Sequence, residues 1–257
     1  MNRRSFLAAG LAGVTGINAV AAAGQPKGQG ERDYFELRRY HLLNRAKAGV
    51  FENFLRDAAI PALNRIGIQP VGVFNVMYGP DQSTLYVLLV HKSLESVAQV
   101  SARLLADAEF AKADLVNAPL AEPGYVRYES SLMAAFKDMP RLEAPQKKSR
   151  IFELRTYESH SIKAAKKKIE MFNEGGEIAV FRKTGLQVVF FGETLIGSNQ
   201  PNLTYMLVFD DLAHRDKQWS VFGSDPDWQK LRVDPAYKDT VSNVTDIILR
   251  PSSYSQI

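Results

Sequence analysis

The stretch FELRRY at Phe35–Tyr40 recurs as FELRTY at Phe152–Tyr157, in a chain of 257 residues. Two copies of one strand-like stretch indicate two copies of one structural unit. Further matches follow at nearly the same offset, such as Gly67-Ile68-Gln69 and Gly185-Leu186-Gln187. We therefore predict two tandem repeats, at residues 33–139 and 149–257, joined by a linker at residues 140–148.

Hydrophobic periodicity predicts the order strand, helix, strand, strand, helix, strand in each repeat. The first helix is predicted at Ala46–Ile66 and at Ile162–Thr184, with a kink or break at Pro61. Gly67 and Gly185 occupy the position of a helix C-terminal glycine. The βαββαβ order gives a ferredoxin-like unit, a four-stranded antiparallel sheet with both helices on one face. Its bare face needs a cover. We therefore predict an α+β protein whose repeats stack sheet to sheet as a barrel-like pseudo-dimer with an internal cavity.

These motifs resemble those of the NIPSNAP family. The opening strand of that family has the form YELRxY, which residues 34–40 and 151–157 approximate. Its second-helix signature is similar to Gln218–Phe222 followed by Asp225–Gln229. The resemblance covers both repeats and implies the fold of the dimeric α/β barrel superfamily. That wider group contains cofactor-independent monooxygenases, haem-dependent enzymes and proteins of no known activity, so the resemblance implies a fold rather than one reaction.

Residues 1–23 are predicted to be a twin-arginine signal peptide. Arg3-Arg4 precedes an apolar stretch rich in Ala and Gly, and Ala19-Val20-Ala21 and Ala21-Ala22-Ala23 are both plausible cleavage sites. We therefore expect export to the periplasm or its equivalent, with residues 24–32 as a spacer. No later run of eighteen apolar residues is present, so no stable membrane insertion is expected after cleavage.

Charge and cysteine content exclude several classes of protein. The chain has 32 Lys and Arg, 28 Asp and Glu, and no Cys. Without the two signal arginines, 30 basic against 28 acidic residues leave about +2, which argues against a nucleic-acid partner. The lack of cysteine excludes disulfides and thiolate sites. A small molecule or a protein is the expected partner, and a homo-oligomer could form through outer sheet edges.

The repeated strand also supplies the main candidate site. Strand alternation places Phe35 and Leu37 on one face and Glu36, Arg38 and Tyr40 on the other. We expect the apolar face to pack under the helices and the polar trio to face the space between the sheets, as does its copy, Glu153, Arg155 and Tyr157. One interpretation is an ion-pair network that holds the sheets in register. The other is a polar floor for a bound anion or hydroxyl, with an arginine as clamp and a tyrosine as donor.

Other candidates are aromatic and imidazole side chains. Tyr86 and Tyr205 are predicted to be equivalent residues of the third strand, which line a cavity or pack in the core. The histidines lack zinc-ligand spacing, so no metal site is predicted. No cofactor is predicted; a haem ligated by His41 or His91 is the alternative to ordinary hydrogen-bonded side chains. The run Lys166–Lys168 is typical of a solvated helix face.

The sequence therefore predicts an exported protein that binds a small ligand or a protein partner in or near an inter-sheet cavity. One alternative is a cofactor-independent oxygenase or isomerase that uses the cavity's Glu, Arg and Tyr groups. The other alternative is a haem-binding protein.

Overall fold

The structure is a computed structural model that describes residues 31–43, 45–78, 83–147 and 150–257. The predicted signal peptide and spacer residues 24–30 lie outside the described residues. Within the described ranges, no helix combines the length and hydropathy needed to cross a membrane.

Eight antiparallel strands close into a barrel, in the order β1-β3-β2-β8-β5-β7-β6-β4. The first repeat contributes β1 to β4 and the second contributes β5 to β8. The repeats join at two seams, where β2 pairs with β8 and β4 pairs with β6. The predicted α+β pseudo-dimer is confirmed, with its two sheets hydrogen-bonded into one barrel. The strands are β1 (Tyr34–His41), β2 (Val71–Tyr78), β3 (Thr84–His91), β4 (Arg127–Ala135), β5 (Ile151–Glu158), β6 (Gln187–Ile196), β7 (Asn202–Phe209) and β8 (Asn243–Pro251).

Helices pack against the outside of the barrel, two short groups in each repeat. In the first repeat, a π-helical segment at Leu55–Ala59 separates α1 from α2 and ends two residues before Pro61. A π turn is a recognised way to absorb a break in the helical hydrogen-bond ladder. The helices are α1 (Arg45–Phe54), α2 (Ile60–Arg65), α3 (Leu94–Ala106), α4 (Ala108–Ala111), α5 (Ile162–Phe172), α6 (Glu177–Lys183), α7 (Leu212–Ser224) and α8 (Pro226–Leu231).

The first helical stretch of each repeat ends at a glycine, as predicted. Gly67 has φ +83° and Gly185 has φ +82°, a conformation that side chains with a Cβ rarely adopt. In both cases the N–H of the following residue donates to a carbonyl five residues earlier, which closes the helix end. These two glycines therefore provide matched reference points for aligning the repeats.

The barrel interior is a packed core built from both repeats, not the expected cavity between sheets. Phe74 of the first repeat and Phe152 of the second have ring centroids 4.9 Å apart, and both are fully buried. Ile257 is also fully buried here. The larger interior side chains are Phe35, Leu37, Phe74, Tyr86, Leu88, Met133, Phe152, Leu154, Phe190, Met206, Leu249 and Ile257.

The predicted facing of the polar trio was wrong. Phe35 and Leu37 point into the barrel interior, so alternation turns Glu36, Arg38 and Tyr40 outward, beneath the helices. The physical reason is that both faces of the strand are buried. The interior is lined by apolar side chains of both repeats, whereas the helix side offers hydrogen-bonding partners to charged groups.

The predicted linker is fastened to the barrel. The Asp33 carboxylate is buried and accepts hydrogen bonds from Lys92 Nζ and Arg141 Nη1, both at 2.8 Å, and from the Leu142 backbone N–H at 3.1 Å. Leu142 packs against the interior core. The connection between the repeats is thus part of the folded unit over its described residues.

Candidate functional site

A pocket of about 300 Å³ lies between the outer face of the first repeat's sheet and helices α1 to α4. We call it the repeat-1 pocket. Its walls are mostly apolar, and its polar lining groups are Arg38, Tyr40, Ser101, Tyr125 and Tyr128. Ser101, Leu105 and Tyr128 are exposed and mark the mouth, whereas Tyr40 is buried at the inner end. This is the composition of a small-molecule site, which combines apolar walls with a few convergent polar groups.

Arg38 is held in a fixed orientation at the inner end. Its Nε donates to Glu36 Oε1 at 2.7 Å and its Nη2 donates to Glu36 Oε2 at 3.0 Å, a bidentate ion pair. The remaining Nη1 donates to the Tyr40 hydroxyl oxygen at 3.4 Å. The guanidinium also lies over the ring of Tyr128, 5.5 Å from its centroid. Glu36 therefore neutralises Arg38 while one edge of the guanidinium stays directed at the pocket tyrosine.

Two further side chains approach Glu36. Ser130 Oγ donates to Oε1 at 2.8 Å, and His91 Nε2 lies 3.4 Å from Oε2. Burial alone raises the pKa of Glu36, but the contacts with His91, Arg38 and Ser130 outweigh it and lower the pKa to about 2. The carboxylate is therefore ionised at neutral pH and acts as the fixed counter-ion of Arg38.

The lowered pKa predicts a measurable pH dependence. The pKa of Glu36 is about 2 in the folded protein, against an ordinary 4.5. Its ionised carboxylate therefore contributes fully to the free energy of unfolding above pH 4.5, and this contribution is lost as pH falls toward 2. The difference between the two pKa values corresponds to about 3 kcal/mol in the free energy of unfolding. Urea unfolding of Glu36→Gln and the native chain should differ by an amount of that order at pH 7, and the gap should narrow below pH 4.5. A gap that stays constant from pH 7 to pH 2.5 contradicts this assignment.

Tyr40 lies in a cluster of aromatic rings at the inner end of the pocket. Its ring centroid is 4.8 Å from that of Phe51 and 5.2 Å from those of Tyr125 and Tyr128. Burial raises the pKa of the Tyr40 hydroxyl above its ordinary value, and this outweighs the opposite effect of Arg38. The hydroxyl is therefore protonated at neutral pH and can donate a hydrogen bond into the pocket.

The second repeat carries a filled copy of this site. Glu153 is fully buried and accepts hydrogen bonds from Arg155 Nη1 at 2.6 Å, Arg215 Nη2 at 2.7 Å and Trp219 Nε1 at 2.8 Å. The indole ring of Trp219 lies over Arg155, with its centroid 4.8 Å from the guanidinium carbon. Helix α7 therefore supplies two of the three side chains that hold the acidic residue of this repeat.

Two further contacts lie beside this network in the second repeat. The hydroxyl oxygens of Tyr157 and Tyr205 are 2.7 Å apart, and burial raises the pKa of Tyr205 well above its ordinary value. Lys168 Nζ donates to Glu177 Oε2 at 2.7 Å, and both side chains are almost completely inaccessible. The expectation that Lys168 belongs to a solvated basic run was therefore wrong. The helix turns this one lysine of the run toward the sheet.

Residue equivalences explain why one copy is open and the other is filled. Arg38 pairs with Val87 across β1 and β3, and Arg155 pairs with Tyr205 across β5 and β7, so Val87 stands where Tyr205 does. Helices α3 and α7 each have 13 residues beginning with Leu, and their eighth residues are Ser101 and Trp219. The first repeat thus lacks the two large side chains that cover the arginine of the second.

The helices before the matched glycines show the same difference. Counting back eight residues from Gly67 and Gly185 gives Ala59 and Glu177. Phe51 and Lys168 each lie against the tyrosine of their own trio, at 4.8 Å from the ring centroid of Tyr40 and 5.6 Å from that of Tyr157, so the buried ion pair is replaced by a ring and a methyl group. Ala59 and Phe51 both line the repeat-1 pocket.

The structure separates the remaining predicted residues from the pocket. Tyr86 lies in the barrel interior and Tyr205 beneath the helices, so their predicted equivalence is wrong by one residue, which reverses the face of a strand. His41 Nε2 lies 2.8 Å from Glu129 Oε1 at the barrel surface. His91 is fully buried, with Nδ1 3.0 Å from Ser96 Oγ. Neither histidine lines the repeat-1 pocket.

No group of three or more His, Asp or Glu side chains in the described ranges is arranged to hold a metal ion. The pocket residues that the sequence did not indicate include Val87, Ser101, Tyr125 and Tyr128. The only sequence signal for them was the size difference between Trp219 and its counterpart in the first repeat. That difference becomes informative once the register of α3 against α7 is known.

Comparison with known proteins places the chain in a family. The NIPSNAP family profile matches twice, over residues 35–139 and 152–256. No curated protein matches the chain in sequence.

Solved structures share the architecture. A provisionally assigned monooxygenase from Lactobacillus acidophilus NCFM has 10% sequence identity and a TM-score of 0.56, over 86% of this chain and 94% of that one. Another, from Fusobacterium nucleatum subsp. nucleatum, has 10% identity and a TM-score of 0.57, over 86% and 93%. An uncharacterised NIPSNAP-like domain protein from Burkholderia xenovorans has 23% identity and a TM-score of 0.38, over 42% of this chain and 90% of that one. At these identities the first two show the fold alone. Since the family profile covers both repeats, the chain belongs to the NIPSNAP family.

Proposed function

We propose that the protein binds a small, largely apolar ligand in the repeat-1 pocket. The observation that carries this proposal is the asymmetry between the repeats. Both keep the Glu-Arg-Tyr trio, and a cavity of about 300 Å³ lies beside that of the first, whereas Tyr205 and Trp219 occupy the equivalent positions beside that of the second. A folded chain gains stability by filling such a space with its own side chains, as the second repeat does, so an open copy is best explained by an external occupant.

The shape of the site favours a small molecule over a protein partner. The cavity lies beneath helices rather than on an open surface, and its inner end is formed by buried residues such as Tyr40, Leu55 and Leu89. A protein surface could reach only the exposed residues of the mouth. The ion pair of Glu36 and Arg38 lies within the first repeat and does not join the two sheets, and on this proposal the trio forms the polar end of the pocket.

Filling the pocket with the residues of the second repeat tests the proposal. In the double variant Val87→Tyr and Ser101→Trp, the new rings occupy the space that Tyr205 and Trp219 occupy in the other copy. We expect the affinity for N-phenyl-1-naphthylamine, a neutral fluorescent probe of apolar sites, to fall at least tenfold in equilibrium titration. The native chain should bind one probe molecule.

The matched control is Ala102→Trp, which places the same ring on the exposed side of α3, outside the pocket lining. It should bind the probe as the native chain does. Equal affinity of the filled variant and this control contradicts ligand binding in the repeat-1 pocket.

Catalysis on the bound ligand is a second candidate function. It is supported by the provisionally assigned monooxygenases that share the barrel at TM-scores of 0.56 and 0.57, and by a pocket in which Arg38 and Tyr40 could stabilise a developing oxyanion. Oxygen uptake with 1,4-dihydroxynaphthalene tests it. A rate in the native chain no higher than in Tyr40→Phe counts against this candidate.

We also propose export through the twin-arginine route, which rests on the sequence of residues 1–23. Cell fractionation of the native chain beside a variant with Arg3 and Arg4 changed to lysine tests it. Equal distribution of the two between compartments contradicts export by this route.

A further inference from the structure

We propose that the ligand of the repeat-1 pocket is a neutral, fused-ring aromatic molecule that carries a hydroxyl group. This inference rests on the proposed function and names the class of molecule that the pocket takes. The second repeat serves as an internal guide to this ligand. There, side chains of the protein occupy the space that is open in the first.

The first side chain that occupies this space in the second repeat carries a bicyclic ring. The indole of Trp219 is half-buried over the guanidinium of Arg155, at 4.8 Å, and its ring also contacts Phe181 and Phe222. The corresponding arginine, Arg38, has Ser101 in place of the tryptophan. Since Tyr128 already lies over one side of this guanidinium, a flat fused ring would lie on the side of Arg38 that faces the pocket, because cation–π stacking depends on the face of the ring and not on its attachment to the chain.

The walls of the pocket suit such a ring. Phe51 and Phe54 have centroids 5.9 Å apart, and Phe54 lies 5.8 Å from Phe110. Tyr125 contacts Phe51 edge-on at 5.6 Å. These distances lie in the range of favourable aromatic contacts, so the lining offers both faces and edges to a planar guest.

The second side chain that occupies this space in the second repeat is a phenol, that of Tyr205. The Tyr205 hydroxyl lies 2.7 Å from that of Tyr157, which is the counterpart of Tyr40. In the first repeat Val87 replaces Tyr205, so the phenol is missing but its partner remains. The Tyr40 oxygen accepts from Arg38, and its own hydrogen can therefore be donated to an oxygen of the guest. A ligand hydroxyl would restore the bond seen in the other copy.

The charges of the site favour a neutral guest. Among the described residues that line the pocket, Arg38 is the only charged one, and Glu36 already neutralises it through two hydrogen bonds. An aromatic carboxylate would have to compete with this buried, bidentate partner, or add a second negative charge beside it. A hydroxyl needs only the donor that Tyr40 provides, so the pocket should prefer a naphthol to a naphthoate.

The experiment compares 2-naphthol, naphthalene and 2-naphthoate by displacement of N-phenyl-1-naphthylamine from the full chain. We expect 2-naphthol to bind three- to tenfold more tightly than naphthalene, as one hydrogen bond allows, and 2-naphthoate to bind more weakly than 2-naphthol. Tyr40→Phe should bring 2-naphthol to the level of naphthalene. Tyr157→Phe removes the same hydroxyl from the filled copy and should leave all three affinities unchanged.

Two kinds of failure can be told apart. If 2-naphthol binds the filled variant Val87→Tyr/Ser101→Trp as well as the native chain, the proposed function itself is overturned. If the filled variant excludes the probes but naphthalene equals 2-naphthol, or 2-naphthoate binds most tightly, only the ligand class is overturned. Loss of 2-naphthol binding in Tyr157→Phe also overturns it.

Discussion

Glu177→Ala should lower the free energy of unfolding by about 3 to 5 kcal/mol, the typical cost of leaving one member of a buried ion pair without its partner. Lys168 is 5% exposed, and its ammonium lies 4.6 Å from the centroid of Phe172 and 5.9 Å from that of Trp228. Without Glu177 these rings and the Met171 sulfur would have to stabilise the charge alone. Urea unfolding at pH 7 measures the effect.

The matched control is a double variant that gives the second repeat the residues of the first repeat at this pair of positions. Lys168→Phe with Glu177→Ala introduces the residues that stand at the equivalent positions, Phe51 and Ala59. Removing both charges together should recover most of the stability that Glu177→Ala loses, because no unpaired buried charge remains. If the single and double variants lose equal stability, the buried pair is not the cause.

Phe74→Ala should cost about 3 to 5 kcal/mol, as is usual for a large ring removed from a packed core. Phe74 is fully buried in the barrel interior and contacts Phe152 of the other repeat. We expect a single unfolding transition that shifts as a whole, because the two seams and the common core join the repeats into one cooperative unit.

The tryptophans make this second prediction easy to check. Both lie in the second repeat, at Trp219 and Trp228, whereas Phe74 lies in the first. Tryptophan fluorescence and far-UV circular dichroism should therefore give the same lowered midpoint. Leu120→Ala, at a side chain that is 96% exposed, should change stability by less than about 0.5 kcal/mol. A fluorescence midpoint that stays at the native value in Phe74→Ala shows that the repeats unfold separately.

The fold could be predicted because its determinants are local. The duplicated strand, the helical periodicity and the paired glycines each indicate an element from a few neighbouring residues. Closure of the barrel is less local, because it depends on the pairing of β2 with β8 and β4 with β6. The sequence predicted that two bare faces meet, but it contains no signal for hydrogen bonding between their edges.

The facing of the trio could not be predicted because β1 is buried on both sides. Alternation separates Phe35 from Glu36 but does not say which of the two faces the helices. The polar face can lie under the helices because Ser130, His91 and, in the second repeat, Arg215 reach the carboxylates. These partners come from distant parts of the chain, so only the assembled structure brings them together.

The repeat-1 pocket could not be predicted from the sequence for a related reason. It is defined by side chains that are small relative to their counterparts, such as Val87 against Tyr205. The letters alone aligned Tyr86 with Tyr205, and this slip by one residue hid the difference. Register in a sheet is set by pairing, and an error of one position exchanges the two faces.

Joining both halves of the barrel in one polypeptide has a consequence for how its sites can diverge. In a two-fold assembly of identical subunits, any substitution in one binding site occurs in its mate as well. Here the halves are encoded separately, so bulky residues can stabilise one without closing the other. Because the two repeats are fused in one chain, side chains can fill one site and stabilise the barrel while the other site keeps its cavity. Two identical subunits could not combine these properties.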